Sequence, residues 1–355
     1  MAVDVIETTD RFWSSALEGL RYDIYHLPEY LRLESERTRD EGRAFVIDDG
    51  GKRFFLPFLV RSCDGLGAEA PSGAIDVASP YGYPGMLFNE SALGSPDFVE
   101  NALQELYHAM RSLGACTAFF RLHPILSHFP DKVALPGLSV LKTSTVSVDL
   151  TLSESQIWAR TRKGHQSTIN KTTRLGYTAR MVDFHDYEDE FISIYEETMA
   201  RVGGAEFYYF SKDYFANLAK LGDRFWLCIV EKDGEIAAAC ILFECNGIVQ
   251  AHLGGTRGAF MKDSPFSQLL HHARLWAKAR GNEFVHLGGG VGGTKDPVYS
   301  YKSGFSRQRH DLLTLQLVLD EAKYRDLVAA RADKLGVTPE LLLQSKFFPA
   351  YRAAN

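Results

Sequence analysis

The stretch LCIVEKDGEIAAACILF, residues 227–243, decides the fold of the second half of the chain. Two apolar runs flank a polar turn with Asp-Gly, a dipeptide favoured in two-residue hairpin turns because both positions need a positive φ. The pattern therefore predicts a β-hairpin. A second turn signal, Asn246-Gly247, predicts that the sheet continues into a further strand.

Downstream of this hairpin the sequence predicts a helix and another strand. Ser264-Pro265 is typical of a helix start, with serine as the cap and proline in the first turn. Apolar residues then recur with the period of a helix packed on a sheet. They are Phe266, Leu269, Leu270, Ala273, Trp276 and Ala277. We expect the helix to end at Gly281 and EFVHL, residues 283–287, to form the next strand.

The first half of the chain repeats this order of signals. FVIDDGGKRFFLPFLV, residues 45–60, predicts a hairpin, and Ser95-Pro96 opens a helix that is expected to end at Gly114 before the strand AFFRL, residues 118–122. Order, helix start and terminator agree between the halves. The sequence therefore predicts an internal duplication, with α/β domains at residues 1–150 and 151–320. Two C-terminal helices, the second opening at Thr338-Pro339, are expected to pack back on the body over residues 321–355.

Composition excludes several classes of function. The chain has 355 residues and a formal net charge of -6, which disfavours broad nonspecific binding of nucleic acid. Its five cysteines show no C-x-x-C spacing, so they predict core thiols and neither a zinc site nor a disulfide framework. The segment MAVDVIETTD lacks the features of a signal peptide, and no apolar run is long enough to span a membrane. We therefore expect a cytoplasmic protein without membrane insertion, metal or cofactor.

A glycine-rich loop, GGGVGGTKDPVYSYKSGF at residues 288–305, invites comparison with phosphate-binding loops. A Walker-type loop needs glycine directly before the lysine and a helix after it. Thr294 separates Gly293 from Lys295, and Pro297 follows, so a nucleotide-triphosphate cradle is disfavoured. The glycines are expected either to let a ligand approach the backbone or to supply positive φ.

Three motifs in the second half resemble the FemAB-like branch of the GNAT acyltransferase superfamily: QAHLGGT at 250–256, HLGGG at 286–290 and YKSGF at 301–305. The resemblance implies an α/β fold of tandem GNAT-like domains, each a mixed, mostly antiparallel sheet flanked by helices. The first domain is then a degenerate copy and the second carries the donor site. It also implies transfer of an aminoacyl group from aminoacyl-tRNA to an amine acceptor, either a peptidoglycan precursor or an intermediate of a small-molecule or peptide antibiotic.

The loop before the second helix bears on the donor. Acetyltransferases that use coenzyme A carry a glycine-containing loop that approaches the pyrophosphate closely. Here the turn is Lys262-Asp263-Ser264-Pro265, which offers no glycine and places a carboxylate there. Arg257 and Lys262 remain able to hold an anion of the donor, so an N-acyltransferase that uses acyl-CoA or a carrier-protein thioester stays an alternative. A noncatalytic GNAT-like ligand-binding protein is a third.

The resemblance assigns chemistry to the YKSGF segment. Lys302 matches the position of a lysine that stabilises the oxyanion formed when an amine attacks the aminoacyl ester. Tyr301 would stack on the terminal adenosine or pack in the core, and Phe305, Gly289 and Gly290 would complete the donor site. An acceptor α-amino group has a pKa of roughly 8, so no dedicated base is required. If one exists, His252 and Asp296 are the candidates.

Two further stretches and two single residues bear on the substrates. The aromatic residues Phe207, Tyr208 and Tyr209 predict an acceptor pocket, with core packing as the alternative. Tyr83, and Arg32 near the family's contact to an acceptor phosphate, are the candidates in the first half. Residues 159–180 contain no acidic residue and predict a patch for tRNA phosphates, with a solvated helix face as the alternative. Its members are Arg160, Arg162, Lys163, Lys171 and Arg174.

Overall fold

The computed structural model describes residues 2–130, 133–345 and 347–353, and these residues form two compact units. Unit 1 consists of the described residues up to Lys142 and from Leu312 onward, and unit 2 of Thr143–Asp311. The segment from Leu312 onward therefore returns to unit 1, whereas the sequence placed residues 312–320 in the second domain.

The helices and strands follow each other as three groups along the chain. The first group is β1 (Asp4–Glu7), α1 (Phe12–Ala16), α2 (Pro28–Thr38), β2 (Glu41–Asp49), β3 (Lys52–Ser62), β4 (Ile75–Ala78), β5 (Leu87–Phe88), α3 (Glu90–Leu93), α4 (Pro96–Ser112) and β6 (Ala115–Arg121). The second group is β7 (Leu138–Asp149), α5 (Glu154–Ala159), α6 (Lys163–Arg174), β8 (Thr178–Val182), α7 (Glu188–Val202), α8 (Lys212–Ala219), β9 (Phe225–Lys232), β10 (Glu235–Cys245), β11 (Ile248–Thr256), α9 (Phe266–Ala279), β12 (Phe284–Gly288) and α10 (Pro297–Lys302). The last group is β13 (Arg309–Val318), α11 (Glu321–Leu335) and α12 (Pro339–Gln344).

The sheet of unit 1 has the strand order β1-β2-β3-β4-β6-β13, with β5 paired to β3. All these pairs are antiparallel except β4 and β6, which are parallel. A parallel pair needs a crossover connection, and α4 supplies it.

The sheet of unit 2 repeats this arrangement with the order β7-β12-β11-β10-β9-β8. Its pairs are antiparallel except β11 and β12, which are parallel and are connected through α9. The predicted duplication and the predicted fold class, tandem mixed sheets flanked by helices, are confirmed.

The three predicted hairpin turns are confirmed by their backbone geometry. In each turn both central residues have positive φ, which matches the twist of the flanking strands. The pairs are Gly50 (60°) and Gly51 (82°), Asp233 (52°) and Gly234 (83°), and Asn246 (45°) and Gly247 (82°).

The predicted helix ends are confirmed, and so is the start of α4 directly after its N-cap residue Ser95, but neither serine caps its helix through its side chain. After α4 and α9 the chain passes through Gly114 and Gly281, each at a φ of +81°, which allows the backbone to leave the helix. At the starts, Ser95 makes no side-chain capping bond. Ser264 has a φ of 54°, and its hydroxyl donates to Met261 O of the preceding 3-10 helix. It does not cap α9, whose N-cap residue is Pro265.

Each unit has its own hydrophobic core. In unit 1, α4 packs on the sheet, and in unit 2 α9 packs on β9, β10 and β12. The residues predicted for the buried stripe of α9 line this second core. All five cysteines are buried free thiols, as predicted. No helix within the described ranges is both long enough and apolar enough to cross a membrane.

The C-terminal residues anchor unit 1 through a buried carboxylate. Asp76 on β4 is fully buried and accepts hydrogen bonds from Tyr351 Oη at 2.9 Å and Arg352 Nε at 2.6 Å. Arg61 Nε donates to the other oxygen at 2.6 Å. The Tyr351 hydroxyl also lies 2.6 Å from Thr117 Oγ1. A buried charge is stable only when it is paired and hydrogen-bonded, so these contacts tie the tail to the sheet.

Tyr351→Phe is expected to lower the free energy of unfolding by about 1–3 kcal/mol, because one bond to a buried carboxylate is lost. Tyr107→Phe is the control, since Tyr107 is a largely buried tyrosine of the same unit whose hydroxyl makes no hydrogen bond to any described residue. Urea unfolding of both variants measures the difference. Equal stability of the two would show that the Tyr351 hydroxyl does not hold the tail.

Candidate active site

The parallel strands β11 and β12 diverge, and their divergence opens a gap in the sheet of unit 2. They pair only where Ile248–Gln250 lies beside Phe284–His286. Beyond that point β11 runs on to Thr256 and β12 to Gly288 without further pairing to each other in the described residues. Along this stretch the two strands do not satisfy each other's backbone groups, and buried backbone groups of this kind need another partner.

The glycine-rich loop after β12 is explained by its own folding. Gly288, Gly292 and Gly293 have positive φ. A Cβ on Gly290 would lie 2.0 Å from Thr294 O and 2.4 Å from Asp296 Oδ1, so no larger residue fits. At these positions glycine is therefore required by the conformation of the loop: three glycines supply positive φ, and Gly290 avoids a clash within the loop.

Asp296 is the N-cap of α10. Its carboxylate accepts the backbone N–H of Tyr299 at 2.7 Å and of Val291 at 3.0 Å. Partial desolvation works to raise the pKa of Asp296, but these bonds and the charge of Lys302 outweigh it and lower the pKa. A carboxylate that is engaged in this way holds the loop, and it is a weak proton acceptor.

Lys302, the last residue of α10, points its ammonium group back to the loop. Nζ donates to Gly289 O at 2.8 Å, directly after the strand that borders the gap. Desolvation lowers the pKa of Lys302 to about 8, although Asp296 and Cys240 on β10 act to raise it. Near neutral pH the group is thus still mostly charged and has lost much of its hydration, which strengthens its action on a nearby negative charge.

Tyr301 and Phe305 flank Lys302 and pack inward. The Tyr301 ring lies 5.1 Å from that of His165, and its hydroxyl is 3.0 Å from Ser267 Oγ on α9. Burial raises the pKa of Tyr301. Phe305 is 1% exposed, so it supports the site from within the core and offers no open face to a donor.

A buried carboxylate occupies the start of α9. Asp263 is 8% exposed, and its oxygens accept bonds from Lys171 Nζ and Tyr177 Oη, both at 2.8 Å. These two bonds, from Lys171 first, lower the pKa of Asp263, so it is ionised at neutral pH. Of the two predicted anion contacts here, Lys262 is exposed, and Arg257 donates through Nε to Ile236 O at 3.1 Å.

The basic residues predicted for phosphate binding surround α6. Arg160 ends α5, Arg162 precedes α6, and Lys163 and Arg174 are its first and last residues. All four are exposed. The fifth member, Lys171, is also exposed but forms the ion pair with Asp263.

The candidate base His252 lies in an irregular part of β11. Ile241 pairs with Leu253 and Leu242 with Ala251, so His252 is the extra residue of a β-bulge, a feature that re-aims a side chain. Its ring lies 4.3 Å from that of Phe243. Burial lowers the pKa of His252 to about 3, so the imidazole is neutral over the physiological range.

Four neighbouring polar side chains, three of them buried and His310 half-buried, have no counterpart among the sequence predictions. Gln250 Oε1 lies 2.7 Å from His286 Nδ1, and Ser147 Oγ lies 2.6 Å from His310 Nε2. His286 is also the strand partner of Ser147. The HLGGG motif contains His286, but only the strand register reveals its neighbours.

The predicted acceptor residues divide between the units. In unit 2, Phe207 and Tyr209 are 46% and 47% exposed on and beside a 3-10 helix, Glu206–Tyr208. Tyr208 O accepts a bond from Tyr195 Oη at 2.8 Å. In unit 1, Arg32 lies on α2, 3.8 Å from Glu29, and the Tyr83 ring lies 6.1 Å from that of Tyr25.

Comparison with known proteins identifies the domain and the fold. Residues 159–303 match the family described as acetyltransferase (GNAT) domain, a span that includes the gap and Lys302. No curated protein sequence matches the chain.

Solved structures resemble almost the whole chain. FemX has a TM-score of 0.63 at 10% identity, over 90% of this chain and 98% of its own. The C-terminal domain of a putative lysylphosphatidylglycerol synthetase from Agrobacterium fabrum has 0.53 at 15% identity, over 86% and 92%. A Bacteroides thetaiotaomicron protein of unknown function has 0.52 at 10% identity, over 81% and 89%. At these identities the likeness establishes the fold, and the predicted resemblance to the FemAB-like branch is confirmed at that level.

Gly304→Ala is expected to destabilise the site, because the new Cβ would lie 2.4 Å from the ring of His165. We expect a loss of about 1–3 kcal/mol in the free energy of unfolding. Gly164→Ala on α6 is the control, since its Cβ meets nothing within 4 Å, and it is expected to be neutral or to stabilise by up to about 1 kcal/mol. Urea unfolding distinguishes them, and a stable Gly304→Ala protein would contradict the tight contact with His165.

Proposed function

The chain carries a GNAT acyltransferase domain and has a FemAB-like fold. We propose that it is an aminoacyltransferase that moves an aminoacyl group from aminoacyl-tRNA to an amine acceptor. The observation that carries this proposal is the position of Lys302, whose partly desolvated ammonium donates to Gly289 O beside the gap between β11 and β12. A donor ester carbonyl in that gap would place its developing negative charge near this cation.

In the proposed reaction the acceptor amine attacks the ester carbonyl that joins the amino acid to the terminal ribose. The carbonyl oxygen becomes an oxyanion, and Lys302 stabilises it by charge and hydrogen bonding. The tetrahedral intermediate then breaks its bond to the ribose oxygen, which takes up the proton that the attacking amine loses, so that an amide and a free ribose hydroxyl remain. Tyr301, Phe305 and the loop at Gly289 and Gly290 support the donor side of this site.

The environment of α9 supports tRNA over coenzyme A as the donor. The N-terminus of a helix is where a pyrophosphate would bind. Here the ionised Asp263 lies there, so a diphosphate would meet a like charge. A polyanion can instead bind the exposed cations around α6, Arg160, Arg162, Lys163 and Arg174. The name of one structural neighbour, a putative lysylphosphatidylglycerol synthetase, also refers to a lysyl group.

The acceptor assignment extends this proposal. The exposed aromatic rings of Phe207 and Tyr209, with Tyr208 between them, offer an apolar contact surface in unit 2, while Arg32 and Tyr83 are the proposed contacts in unit 1. The peptidoglycan-precursor and antibiotic-intermediate classes both supply a primary amine on a polar scaffold. Burial lowers the pKa of His252 to about 3 and the capping bonds lower the pKa of Asp296, so both are weak proton acceptors. An acceptor amine with a pKa of roughly 8 is already partly deprotonated near neutral pH and needs no dedicated base.

Lys302→Met is expected to lower aminoacyl transfer at least about 100-fold, because the charge that stabilises the oxyanion is lost. The assay incubates the protein with bulk tRNA charged with labelled amino acids and added amines, and follows RNase-sensitive transfer. Lys295→Met is the control, since Lys295 is exposed in the same loop. Undiminished transfer by Lys302→Met would remove the assigned role, and RNase-resistant transfer that requires acyl-CoA would reverse the choice of donor.

The rate of transfer is expected to fall as pH rises through about 8, where Lys302 loses its proton. The acceptor amine acts in the opposite direction, because only its deprotonated form attacks. Lys302→Arg keeps its charge at all these pH values, so its profile is expected to lose the falling limb and keep the rising one. Rate profiles from pH 6 to 10 provide the measurement, and identical falling limbs in both proteins would contradict the assignment.

A further inference from the structure

The carbonyls at the C-terminus of the helix that ends at Lys302 accept hydrogen bonds from two sources. Gly304 N–H and Ser303 Oγ donate locally, to Tyr301 O at 3.0 Å and to Ser300 O at 2.9 Å, and other elements donate from outside. α10 has six residues, and the last four carbonyls of any helix lack intrahelical partners. Around the C-terminus of α10, the carbonyls of Ser300, Tyr301, Gly304 and Phe305 all accept hydrogen bonds from α9 and from the residues at the start of α6.

Arg162 supplies two of these hydrogen bonds. Its backbone N–H donates to Gly304 O at 2.7 Å and its Nη2 to Ser300 O at 3.3 Å. The same residue is the N-cap of α6, so the basic helix and the Lys302 segment meet at this point.

His165 supplies the third hydrogen bond, and its proton position is fixed by its partners. Nε2 lies 2.9 Å from Tyr301 O, and a carbonyl only accepts, so Nε2 carries the proton. Nδ1 lies 3.5 Å from Arg162 Nη2, which donates. Desolvation, and then the charge of Arg162, lower the pKa of His165. The ring is therefore neutral, and its Nε2–H points at Tyr301 O. It stands edge-on to the Phe305 ring, with the ring centroids 4.6 Å apart.

Arg274 on α9 supplies the fourth. It is 1% exposed, and Nη1 donates to Thr161 Oγ1 at 2.7 Å and to Phe305 O at 3.4 Å. Its Nε donates to His271 Nδ1 at 3.1 Å. Within the described residues it makes no ion pair, and a buried cation without a carboxylate is costly. The guanidinium instead donates to the hydroxyl oxygen of Thr161, just before α6, and to the carbonyl oxygen of Phe305, in the segment that carries Lys302.

We propose that His165 and Arg274 are positioning residues for Lys302: they hold the carbonyls of Tyr301 and Phe305, on either side of it, and thereby direct its ammonium to Gly289. The expected effect on aminoacyl transfer rests on the proposed function. The expected effect on the position of the Lys302 side chain does not depend on it. Neither residue contacts the reacting atoms. Arg162 joins them by fixing the proton of His165.

The test compares His165→Leu, which removes the donor, with His165→Gln, which keeps an N–H group for Tyr301 O. For His165→Leu we expect kcat to fall roughly tenfold with KM changed less than about twofold, because misplacing a catalytic group costs rate more than binding. His165→Gln is expected to recover most of the loss. Arg274→Lys keeps the positive charge but loses the planar guanidinium with its several N–H donors. Its kcat is expected to lie between those of His165→Leu and His165→Gln.

A second readout does not depend on activity. The full chain is labelled with acetic anhydride at several pH values, and mass spectrometry follows Lys302, with the exposed Lys295 as internal reference. In the unmodified protein Lys302 is expected to titrate near 8, below the ordinary value of a lysine side chain. In His165→Leu its titration is expected to move up towards that ordinary value, because the ammonium leaves its desolvated position. His272→Gln on α9 is the control, since its side chain bonds to none of residues 300–305.

The outcomes separate the two proposals. A wild-type protein without aminoacyl transfer, but with a Lys302 profile that shifts in His165→Leu, would refute the function and support the positioning. An active protein whose kcat and Lys302 profile are unchanged in both His165→Leu and Arg274→Lys would overturn the positioning. If His165→Leu does not fold, His165→Gln and Arg274→Lys decide in the same way.

Discussion

The divergence of two parallel strands is the constraint on which the site depends. β11 and β12 pair over only three residues each, and a parallel pair requires a crossover, which α9 provides. The crossover brings the start of α9 to the end of the sheet where the strands part. The gap, the carboxylate of Asp263 and the glycine-rich loop therefore follow from one topological feature of unit 2.

Charge is distributed unevenly around this feature. The ionised Asp263 lies before α9 and is held by Lys171 and Tyr177, whereas α6 carries exposed cations without an acidic residue. A small diphosphate needs a cation or free N–H groups at one point, but a polynucleotide needs a spread of cations along its backbone. In a chain with a net charge of -6, this local pattern favours a polyanion over a compact dinucleotide.

Features with a local cause were predictable from the sequence. The hairpin at Asp233-Gly234 was predictable because an Asp-Gly pair favours the positive φ that both residues adopt, and α9 because its apolar residues recur with a helical period. The caps were not predictable, since Ser264 depends on the 3-10 helix before it. Residue 304 is glycine because a side chain there would clash with the ring of His165, and these two residues are far apart in the chain. Motif resemblance found Lys302, but no local pattern indicated Arg274.

Two desolvated cations, Lys302 and Arg274, lie in or against the YKSGF segment and have no carboxylate partner among the described residues. Within the described residues, neither Lys302 nor Arg274 forms an ion pair, although desolvation lowers the pKa of the first to about 8 and of the second to about 10. A fold selected for stability alone would neutralise such groups or replace them with apolar side chains. Neutral groups partner them here: the Gly289 carbonyl for Lys302, and the Phe305 carbonyl, the Thr161 hydroxyl and the His271 imidazole for Arg274. Such dipoles offset a positive charge without cancelling it. The positive potential at the gap is thereby preserved for a substrate whose carbonyl becomes an oxyanion.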